Sequence, residues 1–299
     1  MKTYTLSYII ATRNRLPFLR IALEKLINAL LPDEEIVVVD GNSTDGAQEY
    51  LQQLFQQGKI HQFVSEPDHN QAHGWNKALL LAKGTIIKKI IDDDVYNYPA
   101  IRACRDYMLN NPQTDICISN CLSTILLSPK NISEANRLDN YKKWKTGQVT
   151  CFTFSDISML VRKSSLSFLG LYDTQFAMID WEYALRCSYL KANIVYYTGY
   201  NSLGVTTPGN VTSKTNKARL KAEGRIGRQK YGYSGDRSDI SIYSEIKIAI
   251  GNIVYYKRGN NLADIRQLET IPAEKLNHIY NDLYQYLENY NRASNAAFV

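Results

Sequence analysis

Over the first 120 residues, short apolar runs alternate with amphipathic stretches, the pattern of repeated βαβ units around a mainly parallel sheet. Thr5 to Ala11 predicts a strand, Leu16 to Leu31 a helix with apolar residues at helical spacing, and Glu35 to Asp40 a buried strand through Val37, Val38 and Val39. Thr44 to Gln57 predicts a second helix with Ser43 as its N-cap, and Ile60 to Ser65 a third strand. Gln71 to Lys83 follows as a helix closed by Gly84, then Thr85 to Ile91 as a fourth strand. The strands run into polar tips: Thr12 to Arg15, Asp40 to Asp45, Glu66 to Asn70 and Asp92 to Asp94. Ligands of open parallel sheets sit beyond the carboxyl ends of the strands, so these tips are expected to share one face and surround one ligand.

Past residue 115 the pattern loosens into a strand near Ile116 to Asn120, a long polar stretch from Ser128 to Gly147, a helix from about Asp180 to Lys191 and a strand at Ile194 to Thr198. From Val211 the chain turns basic, through Lys214, Lys217, Arg219, Lys221, Arg225, Arg228 and Lys230, and then helical and rich in tyrosine. The expected organisation is a Rossmann-like α/β domain over 1–210, with helices on both faces of the sheet, and a helical C-terminal extension over 211–299. Within the domain, 1–115 is the nucleotide-binding half and 116–210 the acceptor-binding half.

Composition adds few constraints. With 299 residues, 44% hydrophobic and 21% charged, the chain is globular and long enough for one large domain and an appendage. Five cysteines, Cys104, Cys117, Cys121, Cys151 and Cys187, form no C-x-x-C pair, so buried thiols are expected rather than disulfides or a zinc site. The N-terminus lacks the apolar run and cleavage site of a secretory leader, which predicts a cytoplasmic location. No window reaches the roughly 18 to 20 apolar residues that span a bilayer. Any membrane contact is then expected to be peripheral, at the inner face of the cell membrane. The formal net charge of +6 suits a phosphate-bearing substrate, an anionic lipid or a nucleic acid alike, but no nucleic-acid motif accompanies it.

The chemistry concentrates at the strand ends. Asp92, Asp93 and Asp94 repel one another unless a cation neutralises them. A hard divalent ion, Mn²⁺ or Mg²⁺, takes one or two protein carboxylates and completes its shell with water and phosphate oxygens, which suits a pyrophosphate donor. Asp92 and Asp94 share one side of an extended chain, so ribose is assigned to Asp92 and the metal to Asp94, with Asp93 able to replace either. Asp40 is placed to accept from a nucleobase imide or a ribose, while Ser43 and Asp45 fit helix capping better than ligand binding. Arg13 and Arg15 offer bidentate, charge-assisted contacts to a diphosphate, although Arg15 also fits a plain surface charge at a helix start.

The segments A-T-R-N-R at 11–15, E-I-V-V-V-D-G-N-S-T-D-G at 35–46, S-E-P-D-H-N-Q-A-H-G-W-N-K at 65–77, A-K-G at 82–84 and D-D-D-V-Y at 92–96 together resemble the family 2 glycosyltransferases of GT-A fold. The resemblance covers about residues 1 to 205 and implies an inverting, metal-dependent hexosyltransferase-type enzyme. Its implied donor is a nucleotide-diphosphate sugar, most often UDP-linked, and its acceptor a glycan or lipid-linked species of a bacterial-type surface polysaccharide. It also implies that Thr12, Arg13, Asn14, Asp40, Asn76, Asp92 and Asp93 bind the nucleotide sugar and that Asp94 binds the metal. The late Gly170-Leu171-Tyr172-Asp173 and Ile179-Asp180-Trp181-Glu182 segments put Asp180 at the family's base position. Glu182, one turn before Arg186, is expected to pair with it.

Trp181, Glu182 and His69 are candidate sugar or acceptor contacts, with core packing an equal reading for Trp181; His61 and His278 are expected to be structural. Two positions depart from the family pattern. Thr206-Thr207-Pro208-Gly209 lacks the histidine that many relatives place there, and His73 stands where a second Asp is usual. Other functions weigh less. A sugar-phosphate nucleotidyltransferase would open on a Gly-rich loop, which residues 11–16 lack, and the retained Asp180 argues against a non-catalytic glycan- or nucleotide-binding protein. The basic segment and its tyrosines at 231, 233, 243, 255 and 256 read either as a solvated helix or as a contact to an anionic membrane surface.

Overall fold

The computed structural model describes residues 3–208, 216–233 and 271–299. Four parallel strands, β1 (Leu6–Thr12), β2 (Glu34–Asp40), β3 (Gln62–Ser65) and β4 (Ile86–Lys89), form one half of the sheet. The other half is mixed, with β5 (Val95–Tyr96), β6 (Ile116–Ile125), β7 (Ser128–Ala135), β8 (Leu160–Arg162) and β9 (Ile194–Thr206). The order is β3-β2-β1-β4-β8-β6-β9-β5, with β7 antiparallel on β6.

Alternate residues of the central strands bury themselves in different layers. Tyr8, Ile10, Ile36 and Val38 face α1 (Leu16–Ala29), α2 (Ala47–Gln56) and α4 (Tyr98–Asn110); Ile9, Val37 and Val39 face α3 (Gln71–Leu81) and α7 (Ile179–Tyr189), with the single turn α6 (Leu166–Leu169) in the same layer. Burial on both faces explains why β2 reads as an unbroken apolar run.

Several elements differ from the sequence expectation. Helix α2 begins at Ala47 after Gly46, whose φ of 88° suits glycine, so Ser43 is not its N-cap. Helix α3 ends at Leu81; Gly84 lies beyond it, where a β-carbon would come within 2.6 Å of the Ser7 amide nitrogen. Helix α4, unmarked by the apolar pattern, starts at Asn97, whose side chain accepts from the Ala100 amide at 2.9 Å. The polar stretch after residue 128 contains β7, an edge strand with no buried residue, and α5 (Leu138–Lys145), which buries only Tyr141 and Trp144.

The described parts of the C-terminal segment pack on the sheet domain. Helix α8 (Lys217–Tyr231) packs on α7, with Gly227 so close to Trp181 that a β-carbon would lie 2.3 Å from the indole ring. Helix α9 (Ala273–Arg292) buries Leu276, Tyr280, Leu283 and Leu287 in one cluster with Phe18, Ile21, Val95, Leu203 and Val205. The last residues rejoin the sheet, Tyr196 and Val299 exchanging backbone hydrogen bonds at 3.1 and 2.8 Å. Lys214 and the tyrosines at 243, 255 and 256 lie outside the described residues. Among the described residues no helix is long and apolar enough to cross a membrane. All five cysteines are buried thiols, and none forms a disulfide among the described residues.

Candidate active site

The polar tips of β1 and β4, the turn before β8 and the start of α7 converge on a cleft of about 720 Å³. Its walls include Thr12, Arg13, Asn14, Arg15, Asp68, Trp75, Lys89, Asp92, Asp93, Asp94, Asp156 and Asp180.

The three aspartates occupy a turn, closed by the Asp94 amide donating to the Ile91 carbonyl at 3.2 Å, and each carboxylate has its own surroundings. Asp92 accepts from the Thr12 hydroxyl at 2.6 Å and lies 3.4 Å from Arg15 Nε. Asp93 takes the Arg15 guanidinium and the Thr207 hydroxyl, the latter at 2.5 Å. Asp94 accepts from the Val205 amide at 2.7 Å. All three are buried. Burial pushes the Asp92 carboxyl up to about 6 against the pull of Arg15, and burial with the Asp93 charge beside it pushes Asp94 well above the ordinary carboxylate range. Three buried carboxylates face one guanidinium, and that surplus of negative charge fits a divalent cation. Among the described residues no three His, Cys, Asp or Glu side chains converge as a ready-made metal cage. An ion here would therefore rely on one or two carboxylates and on ligand oxygens.

Arg15 is thus engaged with the acidic turn rather than standing free on the helix surface, and its guanidinium also lies over Phe18 at 4.6 Å. Thr207, in the segment that departs from the family pattern, serves Asp93 and accepts from Arg15 at 3.1 Å. The turn is braced from outside the domain half that carries it: the Tyr280 hydroxyl of α9 donates to the Asp93 carbonyl at 2.6 Å.

In the same cleft Asp180 lies half-buried in the first turn of α7. Burial, then the charge of Asp156, pushes its carboxyl up to about 6, while Lys89 and backbone N–H donors pull it down. The turn leading into this helix is fixed from α8, where Glu223 accepts from the Ala177 and Met178 amides at 2.9 and 3.0 Å.

Other expected site residues lie elsewhere. Asp40 is fully buried beneath the loops, accepting from the Ser43 amide and hydroxyl and from the Ser65 hydroxyl. Asn76 clips the Tyr172 backbone in both directions at 2.8 Å. Trp181 packs on Gly227 and edge-on to Tyr233, since the first turn of α7 turns that face toward α8. Glu182 is fully buried, paired with Arg186 at 2.9 Å and accepting from the Tyr231 hydroxyl. His69 stacks on His73 beside the cleft rather than lining it. Ser43 and Asp45 hold the first loop, accepting from the Asn14 and Leu16 amides at 2.8 Å, and Asp45 also caps Ala47 at 3.1 Å.

Lys89 and Asp156, both in the cleft wall, escaped the sequence reading. Their signal was the Lys88-Lys89 pair inside an otherwise apolar strand, which breaks the binary pattern and demands buried partners.

A four-stranded parallel sheet half joined to a mixed half, with an acidic turn and a raised carboxyl in one cleft at the strand ends, is the arrangement of the GT-A class of fold. The sequence matches glycosyl transferase family 2 over residues 7–170, more than half of the chain, and the protein belongs to that family; it is a glycosyltransferase. Among solved structures it is similar to S. aureus TarS 1-349 in complex with UDP-GlcNAc, at 16% identity and a TM-score of 0.53, covering 96% of this chain and 91% of that one. It is also similar to the mannosyltransferase PcManGT from Pyrobaculum calidifontis in complex with GDP-Man and Mn2+, at 16% identity and a TM-score of 0.53, covering 95% and 88%. At these identities the likeness is one of fold. No curated protein matches the chain by sequence.

Proposed function

We propose that the protein is an inverting transferase that moves a sugar from a nucleotide-diphosphate sugar, UDP-linked in the first instance, to a glycan or lipid-linked acceptor of a bacterial-type surface polysaccharide. One observation carries this reading: a carboxyl raised to about 6, Asp180, lines the same cleft as a buried acidic turn. Asp180 takes the proton of the acceptor hydroxyl as that oxygen attacks the anomeric carbon. The bond from that carbon to the diphosphate breaks on the opposite face, which inverts the configuration. A group titrating near the operating pH suits this work, being ionised at neutrality yet basic enough to accept a proton.

Thr12, Arg13 and Asn14 bind the donor at the first loop, with Arg13 available to the diphosphate. Asp92 and Asp93 complete the donor side, and Asp40, by holding the Ser43 turn, keeps the first two loops in place. Asp94, with Asp92 beside it, would hold Mn²⁺ or Mg²⁺. When bound, that ion neutralises charge on the departing diphosphate. The donors in the neighbouring structures, UDP-GlcNAc and GDP-Man, and the Mn²⁺ beside the latter, support a metal-assisted nucleotide-sugar donor. The exposed Arg219, Lys221, Arg225, Arg228 and Lys230 of α8 support peripheral contact with an anionic membrane face from the cytoplasmic side.

Screening UDP-, GDP- and dTDP-sugars for release of nucleoside diphosphate tests the reading. One donor class is expected to turn over with Mn²⁺ or Mg²⁺ and to lose turnover with chelator or with Asp94→Ala. Full-rate turnover without metal, unaffected by Asp94→Ala, would count against the metal site.

A further inference from the structure

Strand β4 carries two buried lysines on opposite faces. Lys88 donates to the Ile157 and Met159 carbonyls, and burial lowers it to about 8. Lys89 points to the cleft side, where its ammonium meets Asp156 Oδ2 at 2.5 Å and lies 4.3 Å from the Trp75 ring centroid and 5.2 Å from that of Tyr172. The Tyr172 hydroxyl donates to the same Asp156 oxygen at 3.0 Å. Lys89 and Asp156 are 5% and 3% exposed. Taking such a pair out of water is costly, and an apolar pair of similar volume would commonly serve stability as well. Fold stability alone gives this pair little reason to exist.

Its location supplies one. Lys89, Asp156, Trp75 and Asp180 line the same cleft, and the Tyr172 ring packs on Tyr183 of the helix that carries Asp180, 4.8 Å between centroids. Asp156 and Lys89 are the charged side chains acting most strongly on Asp180, one sign each. The remaining charged groups divide into two sets. Glu182 and Arg186 on its own helix pair with each other, Glu182 also accepts from the Tyr231 hydroxyl, and Glu223 of α8 holds the preceding turn. Arg13, Arg15, Asp68 and Asp92 to Asp94 stand on other parts of the cleft wall.

We propose that the Lys89–Asp156 pair, clamped between Trp75 and Tyr172, fixes the charge state of Asp180 and makes both residues positioning residues for the transfer step. The carboxylate of Asp156 holds the proton on Asp180 more tightly, and the ammonium of Lys89 limits that effect so that Asp180 is ionised near neutral pH. This rests on Asp180 being the base.

The test titrates Asp180 in the full chain labelled with ¹³Cγ-aspartate, its resonance identified by its absence in Asp180→Asn. Asp156→Asn keeps the shape and is expected to move the titration down, and Lys89→Met to move it up, each by about one pH unit. The acid limb of kcat/KM for the donor found by screening is expected to follow in the same directions. A resonance that stays in place in either folded variant overturns the proposal. Each variant decides on its own, so loss of folding in one leaves the other. If Asp180→Asn retains full transfer, the base assignment itself is wrong. If it is inactive while Asp156→Asn and Lys89→Met leave the titration unmoved, only the tuning role fails.

Discussion

The hydroxyl of Tyr280 donates to the main-chain carbonyl of Asp93 at 2.6 Å, across 187 residues of sequence. The ring packs edge-on to Phe18, whose own ring lies under Arg15, so the last helix holds both the acidic turn and the arginine that neutralises it. Tyr280→Phe keeps the ring and removes one hydrogen bond, about 1 kcal/mol. The fold should persist, while affinity for nucleoside diphosphate with Mn²⁺, measured by calorimetry, should fall about fivefold. Unchanged affinity would show that the clamp has no bearing on the donor site.

Glu223 acts at the start of α7. Its carboxylate satisfies two amides just ahead of α7, which are otherwise orphan donors at a helix start. Glu223→Ala should lower kcat by misplacing Asp180 while leaving donor KM nearly unchanged, and steady-state kinetics would separate the two. A rise in donor KM at constant kcat would contradict the assignment.

The acidic turn makes a prediction about pH. Asp92 titrates near 6 in the folded chain and near 4 when unfolded. Between those values the folded state binds more protons, so the metal-free protein loses stability as pH rises through this window. Above it the repulsion is fully present, and a divalent ion should relieve it. Mn²⁺ is therefore expected to raise Tm more at about pH 7.5 than at about pH 5. An equal rise at both values, read by calorimetric melting, would place the ion elsewhere.

What the sequence disclosed follows from how local each signal is. Asp92 to Asp94 and Asp180 were legible because a strand end or helix start and a short run of neighbours announce them. The parallel half of the sheet was legible for the same reason. Lys89 and Asp156 lie 67 residues apart and meet only in the fold, so the break in the apolar pattern at Lys89 shows that a buried partner is needed without saying which residue it is. Helix α4 was obscured by a mixed apolar pattern, in which the buried Arg105 stands between Cys104 and Met108 and the charged Arg102 and Asp106 interrupt the run. Trp181 and Glu182 sit next to Asp180 in sequence, but a helix turns successive residues by about 100°, and their face meets α8 instead of the cleft.

The central claim is that Asp180 removes the acceptor proton. The most direct test compares Asp180→Asn with the parent protein in two assays: metal-dependent donor binding by calorimetry and transfer to acceptor. Binding is expected within about twofold of the parent, with a loss in kcat of about 10²- to 10⁴-fold, since the amide fails only in the chemical step. Binding and turnover lost together, or turnover retained, would contradict it.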